Sequence, residues 1–236
     1  MIVKVVPILV AVAGCSFDAS GAGTRGSAID PSAIDAMMVD PVTGDASVAD
    51  APAEVAASCE DVCQLPGICL NGTCQFNCGG SCQHVTCPPG VPCRVNCIAA
   101  DACTGAIDCT AASECEINCI GRGSCKKEIS CAGSACSVAC TNRSSCRGPI
   151  LCAAVDSCVI DCNATGTCRK PITCAADVCD IECGGAGACD DDIECGLSCA
   201  CDITCNGLGS CDGDHQCPAG CASAGDGCDS SSCSPC

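Results

Sequence analysis

Cysteine is the residue type in this chain with most chemistry to offer. The stretch "CEINCIGRGSCKKEISCAGSAC", residues 115–136, spaces its cysteines at 4, 6, 6 and 5 among residues that are mostly small or charged. Thiols at that density serve as nucleophiles, as metal ligands or as halves of disulfides. A nucleophile needs a low-pKa thiolate beside a base, and His84 and His215 are the only imidazoles. With 37 cysteines in 236 residues, each thiol has a readier partner in another thiol. Zinc sites commonly join two Cys-x-x-Cys doublets, and only Cys233 with Cys236 makes one. Disulfides are the expected state, and no catalytic, cofactor or metal-binding residue is assigned.

Composition points the same way. The chain has no Trp or Tyr, its aromatics are Phe17 and Phe76, and its 48% of hydrophobic residues is mostly Ala and Cys. A conventional oily core is out of reach, and so high a cysteine content marks a disulfide scaffold made in an oxidising compartment.

The first 14 residues, "MIVKVVPILVAVAG", carry one basic residue, Lys4, and then an apolar run too short to span a bilayer. They read as a signal peptide, 1–14. The run ends in "VAGC", Val12 to Cys15, which resembles the lipobox of bacterial lipoproteins. The resemblance implies cleavage before Cys15, acylation of Cys15 and a membrane partner reached through that lipid anchor. Setting Cys15 aside leaves 36 cysteines, an even number that can pair completely. Residues 15–58 then form a disordered, acidic, self-repelling linker, with Asp at 30, 35, 40, 45 and 50 and no aromatic beyond Phe17.

The elements that position the cysteines follow from an internal repeat. Units start at Cys93, Cys115, Cys136, Cys158, Cys179 and Cys201, a period of 22 or 21. Val95, Ile117, Val138, Ile160, Ile181 and Ile203 stand midway between the first two cysteines of each unit. Ile107, Ile129, Ile150, Ile172, Ile193 and His215 stand two before the fourth. "CEINC" and "EISC" alternate apolar with polar, the period of a strand buried on one face, and small residues fill the turns between. Two short strands per unit describe an all-β, disulfide-stapled parallel β-solenoid, with six coils over 93–216. Residues 59–92 and 217–236, rich in irregularly spaced cysteines, read as small caps over its ends.

Geometry narrows the pairing. Cys115 and Cys119 lie about 13 Å apart on one strand, beyond a disulfide's reach. Closure across the turns is expected at one edge for Cys97 with Cys103, Cys119 with Cys125, Cys140 with Cys146, Cys162 with Cys168, Cys183 with Cys189 and Cys205 with Cys211. At the other edge the pairs are Cys109 with Cys115, Cys131 with Cys136, Cys152 with Cys158 and Cys174 with Cys179. A bond to the equivalent cysteine one coil away, about 4.8 Å along the axis, is the alternative that spacing leaves open. In "CLNGTC" an Asn-Gly hairpin makes Cys69 and Cys74 directly opposed, and those two are expected to bridge.

The residue after each third cysteine runs Thr104, Lys126, Arg147, Arg169, Asp190, Asp212, basic in the middle and acidic later. Asp190, Asp191, Asp192, Asp212 and Asp214 are carboxylates that Ca²⁺ would suit, but a solvated acidic face is the simpler reading. A formal net charge of −18 argues against nucleic acid as partner. The whole looks like the tandem cysteine-rich exported lipoproteins, a resemblance that carries no activity. The function expected is a non-enzymatic, lipid-anchored structural or interaction module of the cell envelope, adhesion-like, with a surface partner that no motif names. A metal-sequestering envelope protein is the competing expectation.

Overall fold

The computed structural model describes residues 58–80, 82–216 and 218, together with the backbone of 228–229 and 232–233. The signal segment, Cys15, the acidic linker and most of the C-terminal cap lie outside the described residues.

One helical turn, α1 (Cys59–Val62), precedes a run of strands. These are β1 (Ile68–Leu70), β2 (Thr73–Cys78), β3 (Val85–Thr86), β4 (Cys93–Cys97), β5 (Ile107–Cys109), β6 (Glu114–Cys119), β7 (Ile129–Cys131) and β8 (Ala135–Ala139). They continue as β9 (Ile150–Cys152), β10 (Ser157–Asp161), β11 (Ile172–Cys174), β12 (Val178–Cys183), β13 (Ile193–Glu194), β14 (Ala200–Cys205) and β15 (His215–Gln216). A backbone hairpin, β16 (Cys228–Asp229) with β17 (Ser232–Cys233), forms a separate two-stranded sheet.

The chain winds as a parallel β-solenoid of about six turns. Even-numbered strands β2 to β14 stack in parallel in one sheet, with β1 added antiparallel beside β2. Odd-numbered strands β3 to β15 stack in parallel in the other. Register is in phase throughout: Cys115 pairs with Cys136, Ile117 with Val138, Cys158 with Cys179, Ile160 with Ile181. A slip of one residue would turn each aliphatic column to solvent, and the repeat length forbids it.

Two aliphatic columns form the interior. Val95, Ile117, Val138, Ile160, Ile181 and Ile203 come from the first sheet and Ile107, Ile129, Ile150, Ile172 and Ile193 from the second, all with 1% exposure or less. Cysteines flank them. Disulfides across the turns join Cys97 with Cys103, Cys119 with Cys125, Cys140 with Cys146, Cys162 with Cys168, Cys183 with Cys189 and Cys205 with Cys211. At the opposite edge Cys109 bonds Cys115, Cys131 bonds Cys136, Cys152 bonds Cys158 and Cys174 bonds Cys179. Cys87 with Cys93 and Cys195 with Cys201 extend that edge by a coil at each end.

The N-terminal segment departs from expectation in two ways. Cys69 and Cys74 are opposed across the hairpin, yet they do not bond to each other. Cys59 and Cys63 lie one helical turn apart and so face the same way, and they take the two hairpin sulfurs separately, Cys59 with Cys69 and Cys63 with Cys74. The parallel ladder also begins before Cys93. Cys74 pairs with Cys93, Phe76 with Val95 and Cys78 with Cys97, and Val85 pairs with Ile107. That coil is 19 residues long and carries Phe76 in the aliphatic column, so its spacing conceals it.

Candidate functional site

The turn between the second and third cysteine of each coil is the element on which exposed, chemically distinctive side chains gather. It is built by a repeated backbone device. The residue before the third cysteine donates its N–H to the carbonyl three residues back: Ser124 to Gly121, Ser145 to Asn142, Thr167 to Ala164, Ala188 to Gly185. In two of these turns a hydroxyl adds a second bond to the same carbonyl, from Ser145 Oγ at 2.6 Å and from Thr167 Oγ1 at 2.7 Å. Two residues per turn then adopt positive φ. One is the third cysteine, and the other lies two positions earlier, where Asp101, Gly123, Ser144, Gly166, Gly187 and Gly209 succeed one another.

The turns also bond to one another. Cys125 N donates to Ala102 O, Lys126 N to Cys103 O, Cys146 N to Ser124 O and Arg147 N to Cys125 O, each one coil away. From the other side of the turn, Gly123 N donates to Arg143 O and Ser144 N to Thr165 O. The close fit shows at Gly121, where a Cβ would collide with the backbone carbonyl of Ala99. A surface loop is thus held as firmly as a strand.

Seven of the chain's ten Lys and Arg residues ride on three consecutive turns or directly after their third cysteines: Arg122, Lys126 and Lys127, then Arg143 and Arg147, then Arg169 and Lys170. All seven are exposed. Ion pairs close the block at both ends. Lys126 Nζ meets Asp101 at 2.9 Å on the N-terminal side, and its hydrogen bond and charge hold the Asp101 carboxyl below the usual carboxylate range. On the C-terminal side Arg169 meets Asp190 at 2.9 Å and Lys170 meets Asp191 at 3.7 Å. The other four, Arg122 and Lys127 beside Lys126 and Arg143 and Arg147 one coil on, have no carboxylate within 4.0 Å among the described residues. A shallow depression of about 360 Å³ opens there, its walls including Asp101, Arg122, Lys126, Ser144 and Arg147.

No protein-family model matches the chain, and no curated protein or solved structure matches it either.

The acidic residues singled out in the sequence do not converge on one point. Asp190 and Asp191 are engaged by Arg169 and Lys170, while Asp192 accepts the backbone N–H of Asp214. The two imidazoles stand at opposite ends of the seven-stranded sheet, His84 just before β3 and His215 in β15. His215 continues the aliphatic column opposite Ile193, half-buried, with neither ring nitrogen hydrogen-bonded among the described residues.

Carboxylates do gather elsewhere, on the outer face of the first sheet. Asp161 pairs with Glu182 and Asp180 with Asp202 across adjacent parallel strands. Partial burial raises the carboxyls of both Asp161 and Asp180, with Glu182 adding to the first and Asp202 and Glu182 to the second. On the same face nearer the N-terminus the column is neutral, an asparagine ladder in which Asn118 Nδ2 donates to Asn96 and Asn96 Nδ2 donates to Asn77.

Proposed function

We propose that this chain is a non-enzymatic interaction module of the cell envelope, tethered outside the cytoplasm by lipid on Cys15. The observation that carries the reading is the state of its sulfur. Every cysteine from Cys59 to Cys211 is disulfide-bonded, so none in that span offers the thiolate that nucleophilic or metal-binding chemistry requires. What faces solvent instead is a rigid turn edge bearing a compact block of cations. Such a surface suits adhesion-like recognition better than turnover. Disulfide density supports an extracytoplasmic location, and the "VAGC" sequence supports the anchor.

One observation favours metal sequestration as a second reading. Sulfurs of adjacent coils lie close, for example Cys97, Cys119 and Cys125 within 4.8 Å of one another. A reduced chain would thus present trios of buried thiols suited to soft metals.

Thiol titration in denaturant without reductant, run beside metal analysis of the native protein, separates the two. Almost no free thiol is expected. Many thiols with stoichiometric zinc or copper would overturn the scaffold reading, and non-reducing peptide mapping would show whether the Cys15 peptide carries acyl chains.

A further inference from the structure

The basic block is out of keeping with the rest of the chain. Formal charge is −18 overall, yet seven of ten cations fall from Arg122 to Lys170, and four of the seven have no carboxylate within 4.0 Å among the described residues. We propose that this edge binds a linear acidic polysaccharide, seating its carboxylate or sulfate groups along the cations of three successive coils. The inference rests on the reading of the chain as an interaction module and names the partner of that surface.

Three features select this class of ligand. The first is arrangement. Successive coils stand about 4.8 Å apart, so Lys126, Arg147 and Arg169 form one row along the stacking direction and Arg122 with Arg143 a second beside it. A row of charges one turn wide matches an extended polymer that carries an anion at each sugar or every second sugar. The second is pre-organisation. The turns are bonded coil to coil through Lys126 N, Arg147 N and Gly123 N, so the cations start from a fixed backbone and less freedom is lost on binding. The third is residue type. Four of the seven are arginine, whose planar fork holds a carboxylate or sulfate through two parallel hydrogen bonds.

The same features count against other polyanions. Single-stranded nucleic acid is gripped by stacking its bases on aromatic side chains, and Phe76, the one aromatic residue among those described, is buried in the first coil. A flat anionic bilayer would meet the flanking Asp101, Asp190 and Asp191 along with the cations. At physiological salt the Debye length is about 8 Å. The acidic faces beyond that distance are then screened, while direct contacts on the edge persist.

The test uses the oxidised protein at about 0.1 M salt with polygalacturonate and dextran sulfate as probes, and neutral dextran, single-stranded DNA and phosphatidylglycerol vesicles as comparisons. Binding to one or both acidic polysaccharides but not to neutral dextran is expected. R143Q combined with R147Q should weaken it roughly tenfold and make its salt dependence shallower by about two contacts. Both side chains are exposed, so far-UV circular dichroism and the thiol count should not change. R94Q, on the outer face of the first sheet, should leave binding as it was. Failure to bind either polysaccharide overturns the proposal, as does equal weakening by R94Q or tighter binding to DNA or vesicles. If binding fails while free thiols stay near zero, only the partner class falls; free thiols with stoichiometric metal would remove the underlying reading itself.

Discussion

Cys103, Cys125, Cys146, Cys168, Cys189 and Cys211 all sit at φ between 49° and 57°, a region that costs a residue with a Cβ roughly 1–2 kcal/mol. The cross-turn bridge holds each one there, since a left-handed residue reverses the chain sharply enough to bring its sulfur back to the strand just ended. Two residues earlier the same backbone demand recurs, and there the sequence answers it with glycine in four coils and with Asp101 and Ser144 in two. Opposite effects are therefore expected within one column. Ser144→Gly relieves the left-handed strain and gives back part of the gain through glycine's freer unfolded chain, for a net stabilisation of about 0.5–1 kcal/mol. Gly166→Ala should cost about 1 kcal/mol or slightly more. Nothing crowds its new Cβ closer than 3.8 Å, so the loss would be backbone strain alone. Denaturant unfolding of the two oxidised variants checks both signs, and a Gly166→Ala protein as stable as the parent would contradict the assignment. The conformation was legible in the glycines and invisible in the cysteines, because nothing in cysteine's usual preferences marks a left-handed site.

At the scale of the element, a parallel ladder in strict register places identical positions side by side, for good or ill. On the outer face of the first sheet this aligns Asn77, Asn96 and Asn118 into a bonded row and lines Arg94 up with Glu116 at 2.6 Å. It also sets Asp180 directly beside Asp202, with Glu182 on the same strand and Asp161 on the neighbouring one. Asp180 is raised above the ordinary carboxylate range by partial burial and then by Asp202 and Glu182. A carboxyl raised by folding stabilises the native state fully below its unfolded pKa, about 3.9. That contribution is lost as pH climbs through the higher folded value. Asp180→Asn should accordingly stabilise the protein at pH 7 by roughly 0.2–1 kcal/mol, the scale of a like-charged cross-strand pair, with the advantage fading as pH falls toward about 3.5–4. Asp108 works in the opposite sense. Thr110 bonds its carboxylate through both hydroxyl and backbone N–H and lowers it, so stability from that group is lost as pH drops. Comparing melting curves of Asp180→Asn and parent from about pH 3 to 7 isolates the Asp180 contribution, and a difference independent of pH would refute it. Strand period and facing residues were readable from the alternation in "CEINC". The first coil was not, because Phe76 and a shorter loop disguise it, and neither was α1, whose one turn decides the partners of Cys69 and Cys74.

For the whole molecule, the repeat explains how a chain almost without aromatics folds at all. Each coil buries two aliphatic side chains, too little to order 21 or 22 residues on hydrophobic burial alone. The sulfurs supply part of the rest in two ways: they fill the corners of the interior as small buried hydrophobes, and each bridge removes about 2 kcal/mol of loop freedom from the unfolded chain; the parallel hydrogen-bond ladder from coil to coil adds to both. The charge pattern carries the same logic outward. Because coils stack in register, a few Lys and Arg substitutions in successive repeats suffice to build a continuous basic edge, and overall net charge conceals it. The row of Lys126, Arg147 and Arg169 was legible in the sequence as a column, whereas the second row beside it, and the want of a carboxylate within 4.0 Å of Arg122, Lys127, Arg143 and Arg147 among the described residues, came only from the folded arrangement. Stability here is inseparable from oxidation. Reducing the native protein with a thiol agent should abolish its strand signal in far-UV circular dichroism at ordinary temperature, and refolding should need an oxidant. Nearest-neighbour coupling predicts how this happens: coils contact only the coil above and below, so bridges near a free end should open first and the central coils carrying the basic edge last. Quenching a partial reduction with an alkylating agent and mapping the labelled cysteines would show that order. Labels concentrated on Cys146, Cys152 and Cys158 while Cys59, Cys69, Cys205 and Cys211 stay bridged would mean that sulfur pairing does not protect the stack from its middle outward.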